Sequence, residues 1–169
     1  TLLFASNPYN SIVGVNIYSK YGSRYDAVGK AGMANLAMRM LSTGTKFHQE
    51  EEISLLLEKN GAHFKAEASK DYSNVILLTT VDFLKEDLQT VLEVIDHPTF
   101  PENKLKREID IVKMNILEQD DSLLNYTFRI FRKNYFGENP YAWPNIGLAD
   151  HLDTIRRDEL VQFAQAAFE

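Results

Sequence analysis

Two kinds of hydrophobic periodicity alternate along this chain, and their order limits the folds it can adopt. Apolar residues alternate with polar or small ones in 11–23, 62–69 and 72–81, and an apolar run opens the chain at 1–6. These patterns predict strands. Helical spacing predicts helices over 31–41, 48–60, 84–95, 102–119, 122–136 and 158–168.

The resulting order is two strands, two helices, two strands and then a run of helices. It predicts an α+β fold in which a mixed, mainly antiparallel sheet is covered by helices on one face. A doubly wound fold needs strict alternation of strands and helices, which this chain lacks. It also lacks a glycine-rich phosphate loop. We see no repeat or linker, so we expect one domain over 1–169.

Composition excludes several functions. The formal net charge is −6, which argues against nucleic acid or an anionic membrane surface as a partner. No cysteine is present, so disulfides, thiolate catalysis and Cys-based metal sites are excluded. No apolar run approaches the ~20 residues of a membrane helix, so membrane insertion is not expected. The chain opens on Thr1 within an apolar stretch, and we expect it to be an excerpt of a longer subunit.

The residues on their own supply no complete catalytic constellation. A zinc site on a helix needs two ligands three or four positions apart and a third from elsewhere. The four histidines are widely separated, at His48, His63, His97 and His151. No G-x-S-x-G motif marks a serine nucleophile. Residue patterns alone therefore predict only a soluble α+β domain.

Several segments, in order, resemble the inverted-zincin metallopeptidases, the family of pitrilysin, insulin-degrading enzyme and mitochondrial processing peptidase. "KYGSR" resembles the turn after the family's strand, and "NLAMRMLSTGT" aligns with its H-x-x-E-H helix and Gly-Thr turn. Four further segments continue the match: "ISLLLEKNGAHFKAEASKDYSNV", "PTFPENKLKREIDIVKMNILEQDD", "NPYAWPNIG" and "IRRDELVQFAQAAF". The resemblance implies the family's α/β roll and most of the N-terminal domain of a longer subunit.

The resemblance fails at the positions that carry the family's chemistry. It places the two zinc histidines on Asn35 and Arg39, the catalytic glutamate on Met38, and the third ligand on Asn115. An amide is a weak, uncharged zinc ligand, and arginine is permanently cationic. Methionine cannot act as a general base. We call Asn35, Met38, Arg39 and Asn115 the degenerate positions, and we expect no catalytic residue, no bound metal and no cofactor in this chain.

Glu108 matches a supporting glutamate of the family and keeps its type. We expect the Arg39 guanidinium to occupy the space of the missing metal and to pair with Glu108, because a partly buried carboxylate needs a cation. The alternative is that Asn35 and Arg39 point to solvent from a surface helix.

The resemblance also implies partners. Active chains of the family often work with an inactive homologue, so we expect a homologous active peptidase subunit that carries the zinc, or a homo-oligomer, and a peptide substrate. The family adds peptides to a sheet edge, here the strand with Phe64, Ala66 and Ala68. Lys65 and Glu67 equally suit an ordinary solvated edge.

The function that follows is a non-catalytic subunit of a zinc-dependent processing peptidase, which assists peptide binding and cleavage by an active partner. The alternative is a structural subunit, like the core subunits of a respiratory complex. A remote third possibility is an active enzyme with ligands elsewhere in the chain. Substrate and compartment are not determined by the sequence.

Overall fold

A computed structural model describes residues 1–168. The three strands are β1 (Ile12–Ser19), β2 (His63–Ala68) and β3 (Ser73–Thr80). The helices are α1 (Met33–Met40), α2 (Glu50–Glu58), α3 (Leu84–Asp96), α4 (Glu102–Asp120), α5 (Leu123–Phe136), α6 (Ala149–Leu152) and α7 (Arg157–Phe168). Short 3₁₀ turns occupy Ser23–Tyr25, Leu41–Thr43 and Pro140–Ala142. The predicted α+β class is confirmed.

The sheet has the order β1-β3-β2, and both strand pairs within it are antiparallel. Register brings Val15 and Phe64 to either side of Leu77, and Ile17 and Ala66 to either side of Val75. Because side chains alternate across a strand, all of these face the helices. The other face carries exposed Tyr18 and Leu78, with no helix over it among residues 1–168.

The core lies between that sheet face and the helices. α1 is the most enclosed helix, since six of its eight residues are buried. It packs against β2 on one side and against α4 and α7 on the others. Leu36, Met38 and Met40 are at most 1% exposed. The central position of α1 explains why its sequence is almost entirely Ala, Leu and Met. Within residues 1–168, no helix combines the length and apolarity needed to cross a membrane.

The prediction of a strand at 1–6 is wrong. These residues form no ladder, and Leu2, Leu3 and Phe4 are 87–92% exposed. An apolar run becomes a strand only when a neighbouring strand accepts its backbone hydrogen bonds. Residues 1–6 pair with no strand of the described sheet, which ends at β1 on one side and at β2 on the other.

Two glycines bring the loop 139–147 against the start of α1. A Cβ on Gly147 would lie 2.6 Å from the Ala31 carbonyl oxygen, and one on Gly32 would lie 2.8 Å from the Gly147 Cα. Both residues also have φ near +100°, where a side chain is strained. The Leu148 N–H then donates to the Ala31 carbonyl at 3.3 Å. This crossing fixes the loop beside Asn35.

Candidate functional site

The site begins with α1, whose Asn35 and Arg39 lie one turn apart on the same face. Asn35 is half-buried, and its amide donates to the Ile146 carbonyl at 3.5 Å. Met38 points into the apolar core and is 1% exposed. Asn35 therefore contacts the loop 139–147, whereas Met38 packs in the core.

The predicted contact between Arg39 and Glu108 is present. Arg39 Nη2 lies 3.0 Å and Nε 3.2 Å from the same carboxylate oxygen, Oε2. The Glu108 side chain is only 10% exposed, whereas that of Arg39 is 34% exposed. Arg39 thus covers a largely buried carboxylate instead of pointing to solvent, and the alternative of a free surface arginine is wrong.

The ion pair belongs to a chain of charges that joins three helices. Arg107 Nη2 lies 3.4 Å from the second Glu108 oxygen and 3.0 Å from Glu50 Oε1 on α2. Lys104 also contacts Glu50, at 2.5 Å. Alternating charges in such a network hold α1, α2 and α4 in one arrangement.

Asn115 lies on α4 seven residues after Glu108, so the two share one side of that helix. It is half-buried. The donors at the degenerate positions are thus two amides, and the third group is a guanidinium already bonded to the neighbouring carboxylate. A zinc ion does not fit these residues, because arginine repels a dication and amide oxygens carry no charge. Among residues 1–168, no three His, Cys, Asp or Glu side chains lie close enough together to hold a metal.

The strand β2 forms an edge of the described sheet, since it pairs only with β3 there. Phe64, Ala66 and Ala68 are half-buried and pack against the core face, beside α1. Lys65 and Glu67 project to the other face and contact each other at 2.5 Å. The strand β2 therefore has one backbone edge unpaired within the described residues, and it packs against the helix that carries Asn35 and Arg39.

Asp26 is a buried residue that positions α1, and the sequence analysis missed it. Its two carboxylate oxygens accept hydrogen bonds from the backbone N–H groups of Gly32 at 2.8 Å and Ala34 at 2.9 Å. It thereby caps the first turn of α1 from outside the helix. The two donor residues follow Asp26 by six and eight positions in the chain. Helix-start rules examine only the residue next to the first turn, so no local pattern indicates this cap.

Burial raises the pKa of Asp26 from 3.8 to about 6, against the opposing effect of its N–H donors and of Lys70. The folded protein therefore holds the proton more tightly than the unfolded chain between these pH values. Stability linked to this group is full below pH 4 and is lost as the pH rises through 6.

We expect the free energy of unfolding to fall by about 2–2.5 kcal/mol between pH 4 and pH 7 on account of Asp26 alone. The measurement is urea unfolding at several pH values for the wild type and Asp26→Asn, which keeps the shape but does not titrate. The difference between the two curves isolates Asp26 from every other carboxylate. Parallel curves would contradict the expectation.

The model of a family described as Insulinase (Peptidase family M16) matches residues 1–146 of this chain. An uncharacterized zinc protease of Rickettsia bellii is 23% identical over 163 residues, which are 96% of this chain and 40% of the relative. Among Bos taurus proteins, the mitochondrial-processing peptidase subunit beta is 22% identical and the cytochrome b-c1 complex subunit 1 is 18% identical. Each match covers 88% of this chain, and 30% and 31% of those relatives respectively.

A solved structure described as the peptidase M16 inactive domain from Pseudomonas fluorescens superimposes with a TM-score of 0.84 at 26% identity. The match covers 90% of this chain and 37% of that one. This chain therefore spans between 30% and 40% of the length of these relatives, and its fold is that of the matching domain in the solved structure.

Proposed function

The chain belongs to the insulinase family, peptidase family M16, and from this premise we propose that it is a non-catalytic subunit of a zinc-dependent processing peptidase. In this role it assists peptide binding and cleavage by an active partner chain that carries the zinc. The observation that carries the proposal is the Arg39–Glu108 ion pair, which puts a fixed cation at a position where the resemblance assigns a metal ligand.

The ion pair explains how the fold persists without a metal. In an active site of this kind the zinc ion supplies the positive charge and polarises the attacked carbonyl and water. Here the guanidinium supplies the positive charge beside Glu108, but it offers no open coordination position and cannot activate water. Met38, buried in the core, cannot accept a proton. The geometry thus supports a chain that folds like a peptidase domain and does not cleave.

The edge of β2 supports peptide binding. Main-chain groups at a free sheet edge pair with an extended peptide, and small side chains allow its backbone to approach closely. Ala66 and Ala68 are small, and their strand lies against α1. A peptide added to β2 would run past Arg39 without meeting a metal.

A structural subunit of a respiratory complex is the second candidate. The similarity to the bovine cytochrome b-c1 complex subunit 1 supports it. A structural subunit does not need to bind a peptide at the edge of β2. Peptide binding therefore separates the two functions.

The test is binding without cleavage. We expect the purified chain to bind an extended, dye-labelled peptide in fluorescence anisotropy, while mass spectrometry finds the peptide intact after prolonged incubation with zinc. Strand addition uses the N–H groups of alternate peptide residues. Peptides N-methylated at one set of alternate positions should therefore lose binding, and peptides methylated at the other set should keep it.

The two sets of N-methylated peptides control for each other, because they carry the same number of methyl groups. Equal binding by both would contradict strand addition. Absence of any peptide binding would favour the structural subunit, and cleavage by the purified chain would overturn both functions.

A further inference from the structure

A cavity of about 160 Å³ lies between α4, α5 and the loop 139–147. Its apolar walls include Ile116, Phe128 and Ile146, and Arg129 and the exposed Arg132 also line it. An engineered cavity of about 150 Å³ holds one benzene molecule. The cavity near α5 is therefore large enough for one side chain of a ligand and too small for a folded segment.

Hydrogen bonds connect the loop that lines the cavity to α1 and to the segment after β2. Ile146 lines it and also accepts the hydrogen bond from Asn35 of α1. Lys70, two residues after β2, donates to the carbonyls of Trp143 at 2.8 Å and Pro140 at 3.2 Å. A peptide on the edge of β2 therefore ends its run beside the loop that walls the cavity.

The charges of the cavity do not cancel. Arg129 is neutralised by Asp120, whose Oδ2 lies 2.5 Å from Nη1. Arg132 makes no ion pair with any residue from 1 to 168. One positive charge is left over, on a side chain whose planar fork fits a carboxylate with two hydrogen bonds.

Arg132 also affects the pKa of Lys70. Burial lowers the pKa of the Lys70 amine, and Arg132 lowers it further, whereas Asp26 and Asp71 oppose both effects. The charge of Arg132 therefore adds to the positive potential around Lys70, and an anion between α5 and the loop would reduce that potential.

We propose that this cavity binds one carboxylate of a peptide held on β2, so that the chain selects peptides by an acidic group. The apolar walls contact the aliphatic part of the group, and Arg132 pairs with its charge. The inference rests on the proposed peptide-binding function. Because the chain has a net charge of −6, it repels acidic peptides overall, and a preference for them requires a local site.

The experiment moves a single glutamate through an otherwise neutral, C-terminally amidated peptide and measures each affinity by anisotropy. At one position we expect Glu to bind ~10-fold more tightly than Gln, and Lys to bind more weakly than Gln. A Gln peptide with a free C-terminal carboxylate distinguishes a terminal carboxylate from a side-chain one. A preference for either shows that the chain recognises a carboxylate.

Two variants locate the preference. In Arg132→Gln, Glu and Gln peptides should bind equally, with the affinity for the Gln peptide unchanged. Lys106→Gln removes the same charge from an exposed position of α4 and should keep the preference. If the wild type binds neutral, acidic and basic peptides alike, the carboxylate site is overturned while peptide binding stands. If it binds none of them, both proposals fail together.

Discussion

Three substitutions, Asn35→His, Arg39→His and Asn115→Glu, are expected to raise zinc binding from below about a tenth of an equivalent to about one equivalent per chain. Two histidines one turn apart on α1 and a carboxylate on α4 make up a three-ligand set. Zinc would also replace the Arg39 charge beside Glu108. Met38 stays unchanged, because a carboxylate there would be buried in the core and is not a ligand.

The measurement is metal content after dialysis, with circular dichroism to show that the variant is folded. The matched control keeps Arg39 and carries only Asn35→His and Asn115→Glu. It should stay near the wild-type value, because the guanidinium excludes a dication. A folded triple variant without zinc would contradict the assignment of the degenerate positions. A wild type that binds one equivalent and loses it in Asn35→Ala would contradict it more directly.

The second large effect is on stability. Arg39→Met should lower the free energy of unfolding by about 3–5 kcal/mol, because it leaves the largely buried Glu108 carboxylate without its main partner. Arg107 compensates only weakly, since its contact is longer, it is shared with Glu50, and 47% of its side chain is exposed. The double variant Arg39→Met/Glu108→Leu should recover most of the loss, because an apolar pair of similar volume replaces the buried charges.

Urea unfolding of the wild type, both single variants and the double variant gives the coupling energy. Arg24→Met is the control, since it removes an arginine from a pair with Asp71 in which both side chains are well exposed. It should cost less than about 1 kcal/mol. An Arg39→Met variant no less stable than Arg24→Met would show that the Glu108 pair contributes nothing.

The two predictions describe one physical requirement. A carboxylate at position 108 is kept in a poorly solvated place, so a cation must stand beside it. A metal ion or a guanidinium can meet that requirement, but only the metal can activate water. Loss of catalysis in such a domain therefore need not disturb its core.

Much of the secondary structure follows from the sequence alone. Helix periods predict α1–α5 and α7 to within a few residues, and alternation predicts β1, β2 and β3, although α5 contains no buried residue. The tetrapeptide helix α6 shows no such period and was not predicted. The Arg39–Glu108 contact, across 69 residues of chain, was predicted only through the family resemblance, since no local pattern pairs residues so far apart.

The sequence by itself determined which faces are buried and that no zinc ligand set stands on α1. The tertiary structure alone decided which elements meet. It left residues 1–6 without a strand partner, crossed Gly32 with Gly147, placed Asp26 at the start of α1, and brought the exposed Arg132 to a cavity between α4, α5 and the loop 139–147. Periodicity is a property of one segment, whereas hydrogen-bond partners, close approaches and cavities exist only between segments, and their residues are far apart in the chain.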